Sequence, residues 1–248
     1  MDARVRELVK ATIPVLKEHG VALTTYFYQR LFRHNPELKN IFNQSHNETG
    51  KQPVALAMAV LAYAENIDDP SVLAPVITLI ANKHASVGIR AEHYPIVGKH
   101  LLASIREVLG DAASDELVNA WGVAYGALAD VFIEAESRLY DEACNAEGGW
   151  SGWRSFRIID KVRESEEITS FHLVPCDGGP LPAYNAGQYT TARVFVPELG
   201  GMQLRQYTLS IAPGAMHFRI SVKREPASTT TPAGRVSNRL HDFYKVGD

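Results

Sequence analysis

The spacing of apolar residues changes once along the chain, and that change limits the fold more than any other feature. Up to about residue 146 apolar positions recur at helical intervals, as in Val5, Leu8, Val9, Ile13 and Leu16, with Gly20 placed to end that helix. Further helices are expected over 21–34, 52–66, 70–84 behind an Asp69 cap, 91–109, and from 114 to about 141. From Trp153 onward the pattern alternates or becomes β-branched, as in Phe156 to Ile158, Ile168 to Leu173, Tyr189 to Val196 and Phe218 to Val222. The residues between, Glu147-Gly-Gly-Trp-Ser-Gly152, have the composition of a short linker. The reading is therefore an all-α domain over 1–146, a linker over 147–152 and an all-β domain over 153–248. A length of 248 residues accommodates two modest domains, and 46% hydrophobic residues supply a core for each.

Charge and targeting signals exclude several classes. The 25 basic and 28 acidic residues are spread along the chain, leave a net charge of −3 and give no footprint for a nucleic acid partner. The start, MDARVRELVK, lacks the apolar core of a signal peptide, and the longest apolar run, 54–64, is too short to span a bilayer. A cytoplasmic protein without a transmembrane segment is expected, working as a monomer. Cys144 and Cys176 form no CxxC pair, which argues against a thiolate metal site or a disulfide framework.

A few residues of the helical half carry possible chemistry. The 54–64 segment is apolar all round, so its helix is either a core helix covered on several sides or the wall of an apolar cavity. His84 stands near the end of its helix, where an imidazole either caps carbonyls or reaches into a pocket as a metal ligand. Tyr94 opens the next helix. Glu136 lies late on the last one, among Val131, Phe132, Ile133 and Leu139; on pattern alone it reads as a solvated residue, though a carboxylate and a phenol can also meet at a buried imidazole. Tyr28, in Tyr26-Phe27-Tyr28, reads on its own as an ordinary aromatic core residue with its hydroxyl at the surface.

Taken together, Phe27-Tyr28, His34 through Phe42-Asn43, Lys83-His84-Ala85-Ser86, Tyr94 through Leu102, Ala120 through Tyr125 and Gly148-Gly149-Trp150 stand in an order and at spacings that resemble the globin domain of flavohaemoglobins. The resemblance covers nearly all of 1–150. It implies a globin fold holding haem b, with His84 as the proximal iron ligand, Lys83 among the cofactor contacts, Phe42 packed on the porphyrin, and Tyr28, Gln52 and Leu56 on the distal side. It further implies that Tyr94 and Glu136 hydrogen-bond the proximal imidazole and make it a stronger donor to iron.

In the β half, Arg205-Gln206-Tyr207-Thr208 is weak as a bare RxYT pattern. It gains weight from Ala186 through Tyr189 upstream, and from Val222 through Glu225 and Gly234 through His241 downstream, an order that resembles FAD domains of the ferredoxin-reductase type. The resemblance implies an FAD-binding β-barrel in which Arg205, Gln206, Tyr207 and Thr208 hold the flavin, Tyr189 flanks it, and Gly234, Val236 and Ser237 open a helix whose free N–H groups suit a phosphate. It also implies that the barrel is incomplete and the chain a fragment, since Lys245 to Asp248 would precede the family's last barrel strand. No Gly-rich phosphate loop follows a strand, so NAD(P)H has no visible seat. The implied activity is oxidation of nitric oxide to nitrate by dioxygen at the haem, with electrons from reduced nicotinamide, or a separate reductase, through FAD. The alternatives are an oxygen carrier or gas sensor whose β half is a docking module, and an all-α domain fused to a barrel without cofactors.

Overall fold

A computed structural model describes residues 1–42, 47, 49–229 and 231–248; Asn43, at the end of one of the strings above, lies outside them. The chain forms two compact units, residues 1–138 and 139–248.

The first unit is helical. Helix α1 (Ala3–Ala11) starts where Asp2 accepts a bond from the Arg4 amide, and α2 (Ile13–His34) follows directly. Gly20 was expected to end the first helix, and it does not. The break falls at Thr12, whose hydroxyl donates to the Val9 carbonyl at 2.6 Å, and Pro14 sits in the first turn of α2, where its missing N–H costs nothing. Gly20 instead lies buried in mid-helix; a Cβ there would come within 3.6 Å of Ala57 Cβ on α3 (Lys51–Glu65). One turn on, the buried Thr24 hydroxyl donates to the Pro53 carbonyl at 2.8 Å, so small residues and one hydrogen bond set the crossing of α2 and α3.

Helix α3 is buried on one side only, although its composition is apolar all round. Ala57, Tyr63 and Ala64 are buried, whereas Val54 and Met58 are exposed. The segment after Asp69 opens as a 3-10 turn, Pro70–Leu73, before α4 (Ala74–Val87), because the Asp69 carboxylate accepts from the Ser71 amide and tightens the first turn. Gly88 ends α4 with φ +82°, the left-handed conformation that closes a helix, and the Ile89 amide returns to the His84 carbonyl at 3.0 Å. Helix α5 (His93–Leu109) and the long α6 (Asp115–Asn145) follow. Phe27, Leu31, Leu101, Ile105, Trp121 and Ala124 belong to the shared core.

The second unit holds β1 (Phe156–Arg163), β2 (Ile168–Pro175), β3 (Tyr189–Val196), β4 (Gly201–Thr208), β5 (Phe218–Lys223) and α7 (Arg235–Phe243). Strands β1, β2 and β5 form one antiparallel sheet in that order, and β3 pairs with β4 in another; both are open, and an isolated bridge joins Leu209, in β4's continuation, to Ile220 of β5. Phe171, Val194, Val196, Phe218, Ile220 and Val222 meet Val236 and Leu240 of α7 in the core. The Lys161 ammonium donates to the His241 and Tyr244 carbonyls at 2.6 and 2.8 Å and closes the C-terminal end of α7.

Two glycines inside helices of the first unit should respond oppositely to an added methyl group. At Gly20 the new Cβ makes an ordinary contact, so Gly20→Ala should raise stability by about 0.5–1 kcal/mol through helix propensity. At Gly98 on α5 the Cβ would stand 2.5 Å from the Tyr125 ring, so Gly98→Ala should lower stability by about 1–3 kcal/mol through overpacking. Urea unfolding midpoints of the two variants check both signs.

Candidate functional site

Three helices of the first unit converge on His84. The left-handed stop at Gly88 places His84 in the last turn of α4, Tyr94 is the second residue of α5, and α6 carries Glu136. His84 Nδ1 lies 2.7 Å from Glu136 Oε1, and the Tyr94 hydroxyl donates to the same oxygen at 2.5 Å; the Tyr94 hydroxyl oxygen is also 3.2 Å from His84 Nδ1. Phe132, one turn before Glu136, packs its ring against the imidazole with centroids 5.6 Å apart. Glu136 is only 2% exposed, which overturns its reading as a solvated residue.

The hydrogen-bond pattern settles the tautomer. A carboxylate only accepts, so Nδ1 carries the proton and Nε2 keeps its lone pair. The His84 side chain remains 32% exposed, so Nε2 belongs to an imidazole that is fixed at its back and reachable from the front. A carboxylate bonded in this way at the back of an imidazole fixes the ring's orientation and raises the basicity of its free nitrogen. Lys83, the next residue back, is exposed on α4.

Sequence reading gave Tyr125 no role, although it is part of a quoted string. Its hydroxyl donates to the Tyr94 carbonyl at 2.7 Å, and its ring fills the space above Gly98. Burial pushes the Tyr125 phenol well above its ordinary value, so it stays a neutral donor. Tyr125 and Glu136 are three helical turns apart on α6, so one helix face holds Tyr94 at both its carbonyl and its hydroxyl.

A second group forms around Tyr28 of α2. Its ring is buried against Phe27, Phe32 and Phe42, at centroid distances of 4.9, 5.8 and 5.8 Å. Burial raises the phenol far above its ordinary value, while a hydrogen bond with the Gln52 side chain works the other way. Gln52 and Leu56, one turn apart on α3, are half-buried, and Leu56 and Phe42 pack on the core that contains Tyr28. Tyr28, Phe42, Gln52 and Leu56 thus come together from three segments, with a neutral phenol and an amide as the polar members.

In the second unit, strand alternation divides the RxYT residues. Tyr189 pairs with Thr208, Thr190 with Tyr207, Thr191 with Gln206 and Ala192 with Arg205, so Arg205 and Tyr207 share one face of the β3–β4 ribbon while Gln206, Thr208 and Tyr189 share the other. Burial lowers the Arg205 guanidinium below its ordinary value, and the nearby charge of Arg235 lowers it further. Tyr207 is pushed up to about 12, again by burial.

Arg235, which sequence reading passed over, is the first residue of α7, whose N-cap is Gly234. Two cations therefore stand near a helix N-terminus, which suits an anion with more than one charge. A Cβ at Gly234 would lie 2.4 Å from the Ser237 hydroxyl oxygen and 2.8 Å from Glu225 Cβ, so the cap admits glycine only. Val236 and Ser237 are buried in the first turn behind it. The clue available in the sequence was the basic residue following that glycine.

Among the described residues no three His, Cys, Asp or Glu side chains gather as a metal cluster, and no helix is long and apolar enough to cross a membrane.

Comparisons with known proteins bear on the family of the chain. The Globin family model matches residues 25–132. The Flavohemoprotein of Chromobacterium violaceum is 62% identical over all 248 residues, and the chain spans 61% of that relative's length. A flavohemoglobin from Malassezia yamatoensis, solved with bound FAD and heme, superposes with a TM-score of 0.86 at 27% identity, covering all of this chain and 62% of that one. An engineered carbene transferase derived from a putative nitric oxide dioxygenase of Rhodothermus marinus is 36% identical with a TM-score of 0.56, covering 58% of this chain and 99% of its own. With identity running the whole length of both units, the chain belongs to the flavohaemoprotein family.

Proposed function

We propose that residues 1–146 hold haem b, that 147–152 link them to an FAD-binding domain over 153–248, and that the whole protein is a nitric oxide dioxygenase converting nitric oxide to nitrate. It would work in the cytoplasm as a monomer, with electrons from NADH, NADPH or a separate reductase. The observation that carries this reading is the buried carboxylate behind His84, 2.7 Å from Nδ1 and shared with Tyr94.

When bound, haem iron would supply the centre at which dioxygen and nitric oxide react, and FAD would convert two-electron reduction into single-electron delivery. The protein's share is geometry and electrostatics. His84 Nε2 would hold the iron, while Glu136 accepts the Nδ1 proton and gives the ring imidazolate character, raising its donor strength. The Tyr94 hydroxyl on the same oxygen keeps the carboxylate aimed at Nδ1. Tyr28 with Gln52 would offer donors to a polar diatomic ligand, and Leu56 and Phe42 would exclude water and pack the porphyrin. In a water-poor pocket such a donor counts for more than it would in solvent.

In the β half, Arg205 and Arg235 at the capped end of α7 would hold the pyrophosphate of FAD, with the backbone N–H groups of Val236 and Ser237 beside it. Tyr207, on the same strand face as Arg205, offers its ring to the isoalloxazine. Gln206, Thr208 and Tyr189, on the other ribbon face, would be further contacts for the cofactor. A carrier or gas sensor remains the rival, and the Glu136 network argues against it, since reversible carriage gains nothing from an electron-rich imidazole.

Two variants test the haem assignment. His84→Ala should abolish stoichiometric haem uptake; a variant with the parent's stoichiometry and ferrous spectrum would show that another residue holds the iron. Tyr28→Phe, which keeps the ring but loses the donor, should speed dioxygen release by roughly 5- to 150-fold, the equivalent of about 1–3 kcal/mol for a buried hydrogen bond. Carbon monoxide release should change much less, and equal changes for the two gases, measured by stopped flow, would show that Tyr28 acts through shape alone.

A further inference from the structure

Another histidine, His100, lies buried on α5, 3% exposed, and takes no part in the sites above. Its ring is held on both sides. Arg30 Nη1 of α2 stands 2.5 Å from Nδ1, and Asn35 Oδ1, at the C-terminal cap of α2, stands 2.9 Å from Nε2. The His34 ring stacks on it with centroids 5.5 Å apart.

These partners fix the protonation state. Arginine is a donor at any working pH, so Nδ1 must present a lone pair to it. Nε2 then carries the single proton and donates to Asn35 Oδ1, an orientation consistent with the Asn35 amide nitrogen donating to Glu37 Oε1 at 2.8 Å. Arg30 has no freedom to turn away: its Nε and Nη2 lie 3.0 to 3.2 Å from the Glu107 carboxylate, which also accepts from the Tyr26 hydroxyl at 2.8 Å.

Asn35 sits at a junction. Its amide ends α2 on the Leu31 carbonyl at 2.8 Å, and its own carbonyl accepts from Leu38 at 3.2 Å, opening the 3-10 turn Pro36–Asn40. The Ile41 and Phe42 amides both close on the Leu38 carbonyl, at 3.0 and 3.2 Å. Through Asn35 the His100 ring therefore anchors the segment that ends at Phe42, the residue packed against Tyr28 and Phe32.

We propose that His100 is an acid-sensitive positioning residue: as a neutral imidazole it ties the end of α2 to α5, and on gaining a second proton it is driven away from Arg30, which carries its Nε2 donor off Asn35 and releases the Pro36–Phe42 segment. Protonation would turn an acceptor into a donor facing a donor at 2.5 Å, and would set two cations side by side in a buried place. The charged or titratable groups acting on the ring are Arg30 and His34 from α2 and Lys99 and Glu107 from α5. Only Glu107 favours the cation, and Arg30 already engages that carboxylate.

Burial, with the Arg30, His34 and Lys99 charges, holds His100 below its ordinary 6.5. An unfolded chain therefore takes up this proton first as pH falls, and the clamp's contribution, complete above that value, declines below it. Only the consequence for a bound porphyrin, which Phe42 would contact, rests on the function proposed above; the clamp itself needs no cofactor.

Amide hydrogen exchange tests it. Between about pH 7.5 and 5.5, after correction for intrinsic rates, the Ile41 and Phe42 amides of the wild-type protein should lose on the order of tenfold protection, while amides in the middle of α6 keep theirs. His100→Gln, which can neither titrate nor charge, should show no such loss. Equal protection of the wild-type segment at both pH values, or the same acid loss in His100→Gln, would overturn the proposal. Ring nitrogen shifts give a check that needs no variant: at neutral pH His100 must be protonated at Nε2, and a proton on Nδ1 would overturn it as well.

Discussion

The haem-side half of this protein depends on one carboxylate buried where solvent does not reach it. An acidic group at 2% exposure persists only when its lone pairs are engaged, and Glu136 engages them with His84 Nδ1 and the Tyr94 hydroxyl. Each partner comes from a different helix, so the carboxylate stabilises the meeting of α4, α5 and α6 and at the same time selects the tautomer of the histidine. Structure and chemistry share the same bonds here. Removing the carboxylate would leave two donors buried without an acceptor, a costlier outcome than never having built the group.

Helix α6 acts as the ruler for this site. Tyr125, Phe132 and Glu136 fall on one stripe, where they hold the Tyr94 carbonyl, pack the imidazole and accept the imidazole proton. The price of the arrangement appears at Gly98, which must lack a side chain for the Tyr125 ring to lie against α5. On the opposite flank of α5, His100 and Arg30 couple the same helix to α2 and to the turn that leads to Phe42. The start and the middle of α5 are thus tied by polar bonds to the helices that carry the two residue groups around His84 and Tyr28.

Much of this was legible from residue types and spacing. The change of apolar period located two halves, and ordered strings around Tyr28, His84, Tyr94 and Arg205 pointed to the sites. What escaped had physical causes. Gly20 looked like a helix stop because a lone glycine weakens a helix, but whether it ends one depends on packing absent from the local sequence: Gly20 is buried in mid-helix where α2 crosses α3 near Ala57. Glu136 looked solvated because one acidic residue on a long helix usually is, and only the packing of α4 and α5 turns that face inward. Arg235 and His100 were passed over because their partners, Arg205 in one case and Arg30 with Asn35 in the other, lie far from them in sequence. The RxYT string suggested one contact surface, whereas strand pleating splits it between two faces.

The central claim is that Glu136 makes His84 an electron-rich iron ligand by accepting its Nδ1 proton. The iron–histidine stretching frequency of the ferrous haem protein, recorded by resonance Raman for the wild type and for Glu136→Gln, measures that donor strength directly. Replacing the carboxylate by a weaker, neutral acceptor of the same shape should lower the frequency, while haem content stays unchanged. The same frequency in both proteins would mean that the carboxylate does not polarise the imidazole, and the account of the site would be wrong.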